Sequence, residues 1–152
     1  VAAKVLRPFF ADDALAAQLD AICAEALDIP IELRTLAPHT QSLELFHGPT
    51  AAFKDFGARF LAACLSRLRT RGARTLTVLV ATSGDTGAAV AAAFHRRAGF
   101  RVVILYPDGR VSPRQAHQLG RPGRHGRPDR RGAEAHRTEE SREHDDPVSG
   151  CR

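Results

Sequence analysis

RTLTVLVATSGDTGAAVAAAFHRRAGFRVVILYP, residues 74–107, holds two apolar, β-branched runs separated by a stretch of small residues. The first run, RTLTVLVAT (74–82), is nearly continuous, which predicts a strand buried on both faces of a parallel sheet. AAVAAAFHRRAG (88–99) predicts a small-residue helix ending at Gly99, and FRVVILYP (100–107) a second buried strand. Strand, helix, strand in this order is a βαβ unit, so the two strands are expected side by side and parallel. SGDTG (83–87) then falls at the carboxyl end of a strand, where the chain turns into a helix. Ligands of open α/β sheets bind at that edge, and the turn's N–H groups and helix dipole favour an anion. An ordinary glycine-rich turn with Asp85 and Thr86 as caps would read the same way.

Moving outward, SPRQAHQL (112–119) opens another helix, with Ser112 as cap and Pro113 at its first position. Upstream, AFKDFGARFLAACLSRL (52–68) repeats apolar residues at Phe53, Phe56, Phe60, Leu61, Cys64 and Leu68, which predicts a helix from about Ala52. Arg67, Arg69 and Arg71 load its last turn, where the dipole favours cations, and read as a solvated helix end. IPIELRTL (29–36) and SLELF (42–46) read as short strands. ADDALAAQLDAICAEAL (11–27) places Leu15, Leu19, Ile22 and Ala26 at helical spacing, with Asp12 or Asp13 as cap. The fold class is α/β.

The chain has 152 residues, 43% of them apolar, a size for one domain or a piece of a larger one. From Gly120 to Asp146 there is no Val, Ile, Leu, Met, Phe, Tyr, Trp or Cys. Such a segment buries too little surface to offset the entropy of ordering. A partial α/β domain is therefore expected over 1–119 and a disordered tail over 120–152, with a composition like GC-rich DNA translated in a shifted frame. The start at Val1, without an initiator methionine, reads as a fragment boundary.

Net charge is +5, but residues 119–152 hold eight arginines against seven acids, leaving 14 basic and 10 acidic groups of the 22 and 17. That mild excess, with no aromatics among the tail arginines, argues against a nucleic-acid partner. No signal peptide or membrane-spanning run stands out. Cys23, Cys64 and Cys151 show no ligand spacing and read as free thiols in a reducing, cytoplasmic compartment. His95, His117 and the tail histidines lack metal-ligand spacing, so no metal site is expected.

The 22 basic residues are 20 arginines and two lysines, Lys4 and Lys54. Lys54 stands in FHGPTAAFKDFG (46–57), among aromatic and small residues. Arginine stays protonated, whereas a desolvated lysine can act as an amine nucleophile and form a Schiff base. A place in the first helical turn, flanked by Phe53 and Phe56, favours the neutral amine. A surface lysine on a helix is the plainer alternative. An imine-forming lysine beside an anion-gripping loop on a parallel sheet is the minimal kit of a pyridoxal-phosphate enzyme.

HGPTAAFKDFG resembles the lysine motif of the threonine synthase family, pyridoxal 5'-phosphate (PLP) enzymes with the tryptophan synthase β fold. ATSGDTGAA and ILYPDGRVSPRQAHQL are similar to the family's next two signatures, in order, and the resemblance covers roughly residues 4–119. It implies a fragment of a three-layer, parallel-sheet α/β fold. It also implies a carbon–oxygen lyase that turns a small phosphorylated amino acid, O-phospho-L-homoserine, and water into L-threonine and phosphate. Lys54 would bind PLP as an imine and then move protons. Ser83, Gly84 and Thr86 would hold the substrate's α-carboxylate, with Asp85 near the cofactor's phenolic oxygen. His47, Thr50 and Asp55 would shape the pocket. Ala51 stands where the family commonly has leucine, and the family's glycine-rich phosphate loop and pyridine-facing hydroxyl have no counterpart here. A truncated, non-catalytic remnant and another PLP lyase, such as a serine/threonine dehydratase, are the alternatives; HGPT and SGDTG speak against the dehydratase. No feature fixes an oligomeric state.

Overall fold

The computed structural model describes residues 1–70, 72–107, 111–120 and 133–138. Within them the chain runs through α1 (Ala2–Leu6), 3-10 turns at Arg7–Phe10 and Ala16–Gln18, and α2 (Leu19–Ala26). A hairpin of β1 (Glu32–Ala37) and β2 (Thr40–Glu44) follows, then α3 (Lys54–Leu68). The remainder is β3 (Leu76–Ala81), α4 (Asp85–Phe94), β4 (Phe100–Pro107), α5 (Pro113–Gly120) and β5 (Ala133–Thr138).

β3 and β4 pair in parallel, from Leu76 opposite Phe100 to Ala81 opposite Leu105, with α4 as the connection. Side chains alternate along a strand, and Phe100, Val102, Ile104 and Tyr106 turn one face of β4 into the core. Four alanines of α4 are buried there, with Ala58 and Ala62 of α3 and Leu119 of α5. Small side chains let the helix axes come close to the sheet and to each other. Gly87 is the tightest point. A Cβ there would collide with Thr82 Cγ2 and lie 2.7 Å from Leu119 Cδ2.

The expected burial of β3 on both faces is not met. Val78 and Val80 pack against the core, whereas Leu79, pointing the other way, is 64% exposed. β3 ends the sheet order β3-β4-β5, and the described helices that share its core cover one face. A β-branched run reports a strand suited to two-sided burial; it does not supply the second cover.

A smaller core joins Leu15, Ile22 and Ala26 to Ala63 and Cys64 of α3, with Phe10 edge-on to Phe60 at 6.2 Å. The helix expected over 11–27 is α only from Leu19. Asp13 Oδ1 instead accepts the Leu15 N–H at 2.7 Å, a local bond that competes with helix in favour of a turn. Arg59 donates from Nε to the Ala26 carbonyl at 2.8 Å and from Nη2 to that of Glu25 at 2.9 Å, satisfying the end of α2. Both expected short strands are present as the antiparallel hairpin, Glu32 opposite Glu44, with His39 in the turn at φ 64°. Cys23 and Cys64 are buried free thiols, and burial pushes both above the ordinary cysteine range. Cys151 lies outside the described residues.

The tail departs from expectation at one place. Residues 133–138, expected to be disordered, form β5, parallel to β4 from Val102 opposite Ala133 to Pro107 opposite Thr138. The lack of apolar side chains does not forbid this, because an open strand edge offers N–H and C=O partners to any backbone. The rest of the expected disordered segment, 121–132 and 139–152, lies outside the described residues.

Candidate active site

The HGPT turn is organised by Asp55. Its carboxylate is buried, 1% exposed, and accepts the Thr50 N–H at 2.9 Å on Oδ2 and the Thr50 hydroxyl at 2.8 Å on Oδ1. Gly48 leaves room for it: a Cβ there would collide with Asp55 Oδ2 and sit 2.9 Å from Asp55 Cβ. Ala51 takes φ 56°, a left-handed conformation that a side chain makes costly. The turn so folded delivers Lys54 as the first residue of α3.

Across from it, the SGDTG loop is tied to the end of β3 by Thr82. The Thr82 hydroxyl oxygen accepts the N–H groups of Gly84 at 3.1 Å and Gly87 at 3.2 Å. It also donates to the Gly84 carbonyl at 3.2 Å, while the Thr82 N–H bonds Leu105 at 2.9 Å. Asp85 and Thr86 open α4, so their N–H groups have no acceptor within their own helix, and Gly84 at the N-cap has no side chain to offer one, while Thr82 takes the N–H of Gly87. The positive end of the helix is thus left open.

Lys54, Ala81, Thr82, Ser83, Gly84, Asp85, Thr86 and Gln115 line one cleft of about 400 Å³. Five of the residues singled out from the sequence, Lys54, Ser83, Gly84, Asp85 and Thr86, are therefore brought together. His47 and Thr50 are not among the lining residues. His47 Nε2 lies 2.9 Å from Glu44 Oε2 and its ring rests on Phe46, and Thr50 is spent on Asp55. Phe53, expected to desolvate the lysine, is 61% exposed; its ring carries Lys54 Nζ at 4.8 Å from the centroid, a cation–π platform.

Three lining residues were not singled out, Ala81, Thr82 and Gln115. A threonine at a strand end is ordinary β composition, so Thr82, although inside ATSGDTGAA, was given no role of its own. Gln115 did leave a signal, since Ser112 and Gln115 have the S-x-x-Q spacing of a reciprocal helix cap. Elsewhere, Glu32, Glu44 and His47 bring ligand atoms within 4.8 Å of one another, with Glu44 already engaged by His47 and by Arg34 at 3.9 Å. The arginines at the end of α3 are more than a solvated cluster. Arg67 pairs with Glu25 at 2.8 Å, and Arg69 donates to the carbonyls of Ala73 and Arg74 and covers the Phe100 ring.

Comparison with known proteins follows the same stretch. The family model for pyridoxal-phosphate dependent enzymes matches residues 31–149, running past Leu119, where the motif resemblance ends. Threonine synthase of Haemophilus influenzae is 48% identical over 112 residues, covering 74% of this chain and 26% of that protein. The Escherichia coli K12 threonine synthase is 46% identical over 113 residues, with the same two coverages, 74% and 26%. The chain thus spans about a quarter of the length of these relatives. Among solved structures, threonine synthase from Escherichia coli superimposes with a TM-score of 0.69 at 44% identity, covering 77% of this chain and 27% of that one. PLP-bound threonine synthase from Brucella melitensis gives 0.64 at 39% identity, covering 77% and 26%.

Proposed function

The chain belongs to the family of pyridoxal-phosphate dependent enzymes, and from that footing we propose that it carries the lysine and carboxylate-binding part of a threonine synthase. The reaction is the conversion of O-phospho-L-homoserine and water to L-threonine and phosphate, in the cytoplasm, where Cys23 and Cys64 stay reduced. The observation that carries this reading is the cleft in which Lys54 stands with Asp85 and Thr86, the first two residues of α4. A cofactor bearing an aldehyde calls for an amine, and the carboxylate of an amino-acid substrate calls for N–H donors; this cleft has both, so the residues present fit the cofactor's aldehyde and the substrate.

When bound, PLP supplies an electron sink for the charge left on carbon as protons depart. Lys54 holds the cofactor through its amine and moves protons at the substrate's Cα and Cβ. The hydroxyls of Ser83 and Thr86, with the N–H groups at the start of α4, bind the α-carboxylate. Gly84 keeps the loop open to close approach, and Asp85, which lines the same cleft as Lys54, would face the cofactor's phenolic oxygen. His47 and Thr50 act at one remove. His47 is held by Glu44 beside the turn, and Thr50 locks Asp55, which sets the start of the lysine helix.

The test is an absorbance titration of the 152-residue chain with PLP, beside Lys54→Ala. A lysine-dependent band is expected, and equal spectra for the two proteins would overturn the reading. Because the chain matches only about a quarter of the length of these relatives, affinity is expected to be weak. Phosphate release from O-phospho-L-homoserine by this chain alone is expected at background, and release at an ordinary enzyme rate would contradict that.

A further inference from the structure

We propose that Gln115 is a further binding residue of this cleft, donating from Nε2 to the substrate's α-carboxylate; the assignment rests on the reading of the site just given. Gln115 sits in the first turn of α5, far in sequence from the lysine and loop motifs, yet it lines the same cleft as Lys54 and Ser83–Thr86. Its amide is oriented by a reciprocal cap. The Gln115 N–H donates to Ser112 Oγ at 3.2 Å, and Gln115 Oε1 accepts the Ser112 N–H at 3.2 Å. An amide has one oxygen acceptor and a nitrogen that carries two donors. Only the oxygen can accept an N–H, so the cap commits Oε1 to Ser112 and turns the NH₂ group the other way.

The nitrogen comes to rest on the SGDTG loop. A Cβ on Gly84 would lie 2.7 Å from Gln115 Nε2, so the two groups are packed as closely as a glycine allows. The donors of Nε2 therefore stand against Gly84, the residue before Asp85 and Thr86, in the cleft that all of them line. Two sources of N–H, a helix start and a side-chain amide, line one anion site. Lys54, in the same cleft, stays available for the chemistry. An anion held from two elements is fixed in direction as well as place, which orients the Cα–H bond toward the lysine.

Gln115→Glu separates binding from capping. Glutamate preserves the reciprocal cap, since S-x-x-E caps as S-x-x-Q does, but it removes both donors and puts a negative charge beside the anion. Nitrogen-15 NMR of the 152-residue chain, following the Asp85 and Thr86 amides during titration with L-homoserine and separately with O-phospho-L-homoserine, reads the site without cofactor. For the parent chain, saturable shifts are expected with both ligands. For Gln115→Glu, Kd is expected to rise at least about tenfold for both, with the thermal midpoint kept within about 2 °C of the parent. Ser112→Ala, which loses the cap and keeps the amide, is expected to lower the midpoint and to change Kd less than Gln115→Glu does. Equal Kd values for parent and Gln115→Glu overturn the proposal. So does a loss confined to O-phospho-L-homoserine, which would give Gln115 to the phosphate. Absence of any saturable shift in the parent overturns the reading of the cleft itself, and the proposal with it.

Discussion

Asp55 is a buried carboxylate whose two oxygens are both satisfied by Thr50. Removing such a group leaves the part-buried N–H and O–H of Thr50 without their acceptor, and an unsatisfied buried group costs about 1–3 kcal/mol. Asp55→Ala is therefore expected to lower unfolding free energy by about 2–4 kcal/mol in a urea titration. Thr50→Val, which loses the hydroxyl bond alone, should lower it by about 1 kcal/mol. Asp55→Ala should also abolish the lysine-dependent PLP band, because the turn that delivers Lys54 comes undone. At this scale the sequence named the residues and mistook several of their tasks. Asp55 and Thr50 read as walls of a pocket, whereas they bond to each other beneath it. Residue type shows which bonds a side chain can make. Which bond it does make is settled by folding, and for Thr82 no alternation or spacing could have announced it.

Between elements, Glu25 is the shared partner of two helices. Its carboxylate receives Arg67 of α3 at 2.8 Å and Arg97, just past α4, at 2.8 Å, and Arg97 also donates to Ser66 Oγ at 3.1 Å. Burial by itself would raise the Glu25 carboxyl, but the hydrogen bonds from Arg67 and Arg97 outweigh it and hold it below the usual range. A carboxyl lowered in the folded state contributes stability above its unfolded value, about pH 4.3, and loses it as pH falls through the folded value. Glu25→Gln is expected to cost about 1 kcal/mol at pH 7, discounted because the side chain is 38% exposed. The gap from the parent should close in acid below about pH 4, measured by thermal melts across pH. Elements were the most legible level. The βαβ unit, the hairpin strands and the long helix stand within a few residues of where periodicity puts them. α2 starts late because Asp13 turns the chain before it, and β5 eluded prediction because edge pairing is a backbone affair.

Taken whole, the described chain packs α3, α4 and α5 on one face of the sheet and leaves Leu79 open on the other, with Leu33, Leu36, Leu43 and Phe53 also exposed. Two-sided burial was the expectation that failed. The strand's composition speaks of a partner layer, and a layer is a property of the assembly, beyond what one strand can encode. The uncovered face has a calorimetric consequence. Apolar surface already in water when folded adds nothing to the heat-capacity change of unfolding. A 119-residue domain of ordinary burial would show about 1.6 kcal/mol/K; this chain is expected below about 1.3 by scanning calorimetry. A value of about 1.6 or more would mean that the open face is covered in solution. The smaller curvature makes a flat stability curve: the folded fraction should change little on cooling, and cold denaturation should recede to temperatures well below freezing.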